Sequence, residues 1–147
     1  MATAVHFLSG VADPLRWAER AVNRAHTQGL RLWVLGAAPT LQALEQRLCS
    51  EQPLVFLPIA TAQASAAVRQ RSSLQMHDDA AALPVPPAGT RLLNLSRQAT
   101  EQAPAFAEVL DCATAEAEAV DAGRQRYRTY LRMGLDMHHT TSRSAAP

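Results

Sequence analysis

The sequence predicts an α/β fold: a three-layer α/β/α sandwich with a mostly parallel, Rossmann-like sheet and a long C-terminal helix. Three observations carry this. Apolar run, amphipathic stretch and second apolar run follow one another between Ala4 and Leu35. Strand, helix, strand in so short a span implies a parallel pair joined by a right-handed crossover. Two later apolar runs, Arg91 to Leu95 and Ala107 to Cys112, have strand length. Finally, Thr114 to Met133 is long, carries acids first and bases last, and stops at Gly134, as a helix does.

Element by element, Ala4 to Leu8 is apolar and bounded by Ser9-Gly10, so it reads as a strand. Asp13-Pro14 is a helix start, with Asp as N-cap and Pro in the first turn. Leu15, Ala18, Val22 and Ala25 give that helix one apolar face, and Gly29 closes it. Leu30 to Leu35 is the second strand. Gly36 and Pro39 punctuate the chain, and Leu41, Leu44 and Leu48 mark a second helix. Leu54 to Ile59 is apolar but broken by Pro58, which suits an edge piece or a tight turn. Ser73 to His77 reads as a brief strand. Asp78 to Gly89 holds Pro84, Pro86 and Pro87 and reads as a surface loop. Arg97 to Ala105 is a connection. The terminal helix takes Thr114 as its N-cap. From His138 to Pro147 the residues are small and polar, and a disordered tail is expected after a single domain over 1–137.

Composition narrows the function classes. A chain of 147 residues can bury roughly 68–70% of its unfolded surface, so its core needs no metal or disulfide. All fourteen basic residues are Arg, so any anion site is built from planar forks and not from point charges. A net charge of +1 argues against a protein that coats nucleic acid. Two cysteines, Cys49 and Cys112, make no disulfide framework. No secretory h-region opens the chain, and no apolar run approaches the ~20 residues of a membrane span. A reduced, cytoplasmic setting is the expectation.

No catalytic constellation emerges. Gly36 to Thr40 follows a strand and precedes a helix, where a phosphate loop would sit, but it lacks the glycine patterns of such loops. His77-Asp78-Asp79 are adjacent and do not converge as metal ligands do. His6 and His26 stand alone. Cys49 and Cys112 have no nearby His or Arg in sequence to form a thiolate and read as packing residues. A nucleotide-binding enzyme on a Rossmann-like scaffold stays as the alternative, since fold alone does not decide function.

The most informative stretch is Arg124 to Gly134. It holds four arginines and both tyrosines, directly after Glu108 to Asp121 with five acids and no base. In a helix, Arg124, Tyr127, Arg128 and Leu131 share one stripe. Guanidinium, ring and aliphatic surface together suit an acidic partner with an apolar end. The same stripe also fits a solvated helix end whose cations complement the dipole. Arg126 lies about 100° round the helix from its neighbours and is a candidate for internal packing or pairing.

With these residues in hand, the sequence resembles the chi subunit family of bacterial DNA polymerase III. The residues that carry the resemblance are Arg20, Ala21 and Gly29 to Arg31, then Leu44, then Phe56 to Pro58, then Arg91 to Leu95. Phe106 to Asp111 followed by Arg126 to Tyr130 and Gly134 is the clearest match. The resemblance implies a non-enzymatic α/β/α domain without cofactor or metal. It also implies two partners, the psi subunit of the clamp loader and the acidic C-terminal tail, ending in Pro-Phe, of single-stranded-DNA-binding protein. Contact with DNA is then indirect. The tail site it implies comprises Arg124, Tyr127 and Arg128, with Phe56 as a wall and Leu131 beside them. Three positions depart from the pattern: Val120 stands for a lysine, Cys49 for a tryptophan and Ile59 for a histidine.

Overall fold

The structure is a computed structural model, and it describes residues 2–51, 59–60 and 72–142. The strands are β1 (Ala4–Ser9), β2 (Leu32–Leu35), β3 (Ile59–Ala60), β4 (Leu74–His77), β5 (Arg91–Asn94), β6 (Glu108–Cys112) and β7 (Asp136–Thr141). Among the described residues the helices are α1 (Pro14–Thr27), α2 (Ala38–Glu51) and α3 (Ala117–Arg132), with a 3-10 turn at Ala103–Ala105. The seven strands form one sheet in the order β3-β4-β2-β5-β6-β1-β7, and every pairing is parallel.

Alternation along the strands sorts side chains into two layers of core. Leu32, Val34 and Leu93 meet Ala18, Val22 and Ala25 of α1 and Leu41, Leu44 and Leu48 of α2. Their sequence neighbours Trp33, Leu35 and Leu92 point the other way, to Phe106 and to Tyr130 of α3. This is the three-layer α/β/α arrangement. α1 begins as expected: Asp13 Oδ1 accepts from the Arg16 N–H at 3.1 Å, and that bond holds the carboxyl below the usual carboxylate range.

Several expectations need correction. β1 and β2 are parallel but not adjacent, because β5 and β6 lie between them. The apolar pairs Leu92-Leu93 and Val109-Leu110 supply both faces of the sheet, so β5 and β6 take interior places. α3 starts at Ala117 with Glu116 as its cap residue, not Thr114. The Thr114 hydroxyl instead accepts from the Glu116 N–H in the turn ahead of the helix. Pro39 lies inside the first turn of α2, where its missing N–H costs nothing.

The largest correction is at the C-terminus. His138 to Thr141, expected to be disordered, belong to β7, which pairs with β1 from Ala4↔Asp136 to Ser9↔Thr141. Backbone pairing to an otherwise open edge holds this strand, and its side chains are mostly exposed, so composition carried no signal of it. Leu54 to Pro58 lie outside the described residues, and Ile59 opens the edge strand β3.

Gly123 marks a close approach of α3 to the sheet. A Cβ there would lie 3.0 Å from the Ala113 Cβ and 3.1 Å from the Phe7 ring. Gly123→Val is expected to destabilise by about 1–3 kcal/mol through overpacking, despite removing a helical glycine. Thermal melting of the variant checks it.

Candidate functional site

Most of the polar groups singled out from sequence turn out to serve structure. A Cβ on Gly36 would lie 3.2 Å from the Leu95 Cβ, so this glycine permits close packing of the turn after β2. The His77 ring is buried 4.6 Å from the Trp33 ring, and its Nε2 bonds the Gln75 side chain at 3.0 Å. His77, Asp78 and Asp79 therefore do not converge. His6 is not alone: it pairs with Glu108 at 2.6 Å and stacks on His138. His139 bonds Ser9 at 2.9 Å. Among the described residues, no group of three His, Cys, Asp or Glu is placed to hold a metal, and no helix is long and apolar enough to cross a membrane.

The two cysteines part company. Cys49 is exposed on α2, contrary to its reading as a packing residue, whereas Cys112 is buried. Burial, reinforced by the neighbouring Asp111 charge, pushes the Cys112 thiol up to about 12. A thiol reagent at mildly alkaline pH is expected to modify Cys49 in the folded chain and Cys112 only after denaturation. Mass spectrometry of the labelled peptides reads this directly.

The inner face of α3 carries Gly123, Arg126 and Tyr130, all buried. Arg126 reaches back to the end of β6. Its Nε donates to both Asp111 oxygens, at 3.0 and 3.2 Å, and its other nitrogens donate to the carbonyls of Cys112 and Arg97. The Tyr130 hydroxyl donates to Asp111 Oδ2 at 2.6 Å and accepts from Asn94 Nδ2 at 2.9 Å. Burial pushes the Asp111 carboxyl above the ordinary range, with the Arg126 charge and the donated hydrogen bonds opposing. Burial and the Asp111 charge also raise Tyr130. Every polar group of this cluster is satisfied from within, so it ties α3 to β5 and β6 and leaves nothing aimed at a substrate. Asn94 and Asp111, polar residues inside otherwise apolar runs, were its trace in the sequence.

The outer face is different. Arg124, Arg128 and Leu131 are exposed, Leu131 at 52%, which is unusual for a leucine beside charges. Arg124 and Arg128 lie one turn apart, about 6 Å along the axis. Neither has an ion-pair partner among the described residues. Tyr127 is half-buried at the seam, its ring edge-on to Phe7 at 5.8 Å and to His139 at 6.1 Å. Four of the five expected site residues thus share one helix face, and Phe56 lies outside the described residues.

Comparison with protein families gives a match to the DNA polymerase III chi subunit, HolC, over residues 1–138. The chain belongs to this family. The match spans the whole described fold except the last residues of β7, and it makes the protein an accessory subunit of DNA polymerase III, concerned with DNA replication. Comparison with curated proteins gave no match. The Arg126–Asp111–Tyr130 cluster is self-contained, and the outer face of α3, whose Arg124 and Arg128 have no ion-pair partner among the described residues, is the candidate site.

Proposed function

We propose that this chi-family chain is a non-catalytic, cytoplasmic connector of the replication machinery. It joins the clamp loader through the psi subunit and reads the acidic, Pro-Phe-ending tail of single-stranded-DNA-binding protein. The observation that carries the reading is the contrast along one helix. Arg126 spends its guanidinium entirely inside the fold, while Arg124 and Arg128 present theirs to solvent beside Tyr127 and Leu131. Two such forks can clamp acidic side chains or the terminal carboxylate, and the ring and leucine offer an apolar rest for the terminal Phe.

A small charged site of this kind binds weakly and is salt-sensitive. Function at a fork then rests on multivalency, several tails on one DNA-coating oligomer meeting one tethered reader. No cofactor or metal enters this reading, and contact with DNA is indirect. Capture by immobilised single-stranded-DNA-binding protein tests it. The full-length protein is expected to retain the chain and the tail-deleted protein to lose it, whereas equal capture would refute tail reading.

A further inference from the structure

A second surface lies on the opposite face of the sheet from α3. α1 and α2 pack on β2, β4 and β5, and among the described residues the same face of β1 and β7 forms a groove of about 850 Å³. Its floor mixes Leu8, Leu110 and the half-buried Trp17 indole with His6, Glu108, His138 and Thr140. One wall is α1, which presents Arg16, Arg20 and Arg24 on successive turns, all exposed.

The acids that would neutralise these arginines are already engaged. Arg47 of α2 pairs with Asp13 at 3.4 Å and Glu19 at 3.1 Å. Glu108 pairs with His6 at 2.6 Å and Arg91 at 3.1 Å. Among the described residues none of Arg16, Arg20 and Arg24 has an ion-pair partner. The groove therefore joins a row of arginines without ion-pair partners among the described residues to apolar ground at Leu8, Leu110 and Trp17, on a sheet face that layered α/β folds cover with a helix.

We propose that this groove docks an amphipathic helix of a protein partner, with acids at i, i+4 and i+8 facing Arg16, Arg20 and Arg24 and apolar side chains resting on Leu8, Leu110 and Trp17. The spacing argues for a helix. The three arginine positions repeat about every 6 Å along the axis of α1, the repeat at which a helix lying alongside presents its own i, i+4 side chains. The acids Asp13 and Glu108 in the lining argue against a nucleic-acid strand, whose phosphates need an unbroken positive track. The tail reading on α3 is independent of this surface.

The test titrates the full chain with a fluorescent helical peptide carrying Glu at i, i+4 and i+8 and Leu on the adjoining face. A sister peptide with Lys for each Glu and a labelled thymidine oligonucleotide are run beside it. The glutamate peptide is expected to bind and to shift Trp17 emission to the blue. The lysine peptide should bind at least tenfold more weakly. Arg20→Glu combined with Arg24→Glu, both on the exposed face and checked by melting, should lose tenfold or more. Absent or equal binding of the two peptides, or undiminished binding by the double variant, would overturn the proposal. So would displacement by an acidic Pro-Phe peptide, which would put the ligand on α3. Oligonucleotide binding that depends on the same arginines would make the groove a nucleic-acid site instead.

Discussion

Replacing Asp111 by alanine is expected to destabilise the chain by about 3–5 kcal/mol, because it strands the Arg126 guanidinium in the interior without its counter-charge. The Tyr130 hydroxyl loses its acceptor in the same step. Against a total stability of about 5–15 kcal/mol, this is a large share. The melting temperature should fall by on the order of 10 °C. Asp111→Asn keeps the shape and one acceptor oxygen but not the charge, and should fall between the two. Tyr130→Phe removes a single hydroxyl and should cost about 1–2 kcal/mol. A wild-type melting curve for Asp111→Ala would mean that the cluster does not hold α3 to the sheet.

Arg128→Ala should do the reverse, leaving stability within about 0.5 kcal/mol while weakening the proposed tail binding, since its side chain is exposed and unpaired among the described residues. Affinity for an acidic Pro-Phe peptide is expected to fall by about 1–3 kcal/mol, the scale of a charged hydrogen bond or a binding anchor. Tyr127→Ala should lose a similar amount, together with some stability, because its ring also packs against Phe7. Raising the salt should weaken the wild type more than Arg128→Ala, which has one fewer charge to screen. Isothermal titration at two salt concentrations reads both effects.

The pairing of these two predictions shows what the sequence could disclose. Helical periodicity placed Arg124, Tyr127, Arg128 and Leu131 on one stripe and set Arg126 apart, and both assignments agree with the observed burial. Periodicity could not name Asp111 and Asn94 as the partners, because contacts across elements are not local. β7 was illegible for a related reason: its hydrogen bonds go to β1, and its exposed side chains leave no apolar pattern. The order of strands was hidden too, since local spacing says that β1 and β2 are parallel but not what inserts between them. The α1 groove escaped notice because Arg16, Arg20 and Arg24 gain meaning only once Asp13, Glu19 and Glu108 are seen to be engaged elsewhere.

The central claim is that the outer face of α3 reads an acidic tail. The most direct measurement is a backbone-amide NMR titration of the labelled chain with the Pro-Phe tail peptide. Saturable shifts centred on residues 124–131, and absent in Arg128→Ala, are the predicted result. A saturable response that leaves 124–131 unmoved, or one that persists unchanged in Arg128→Ala, would contradict it.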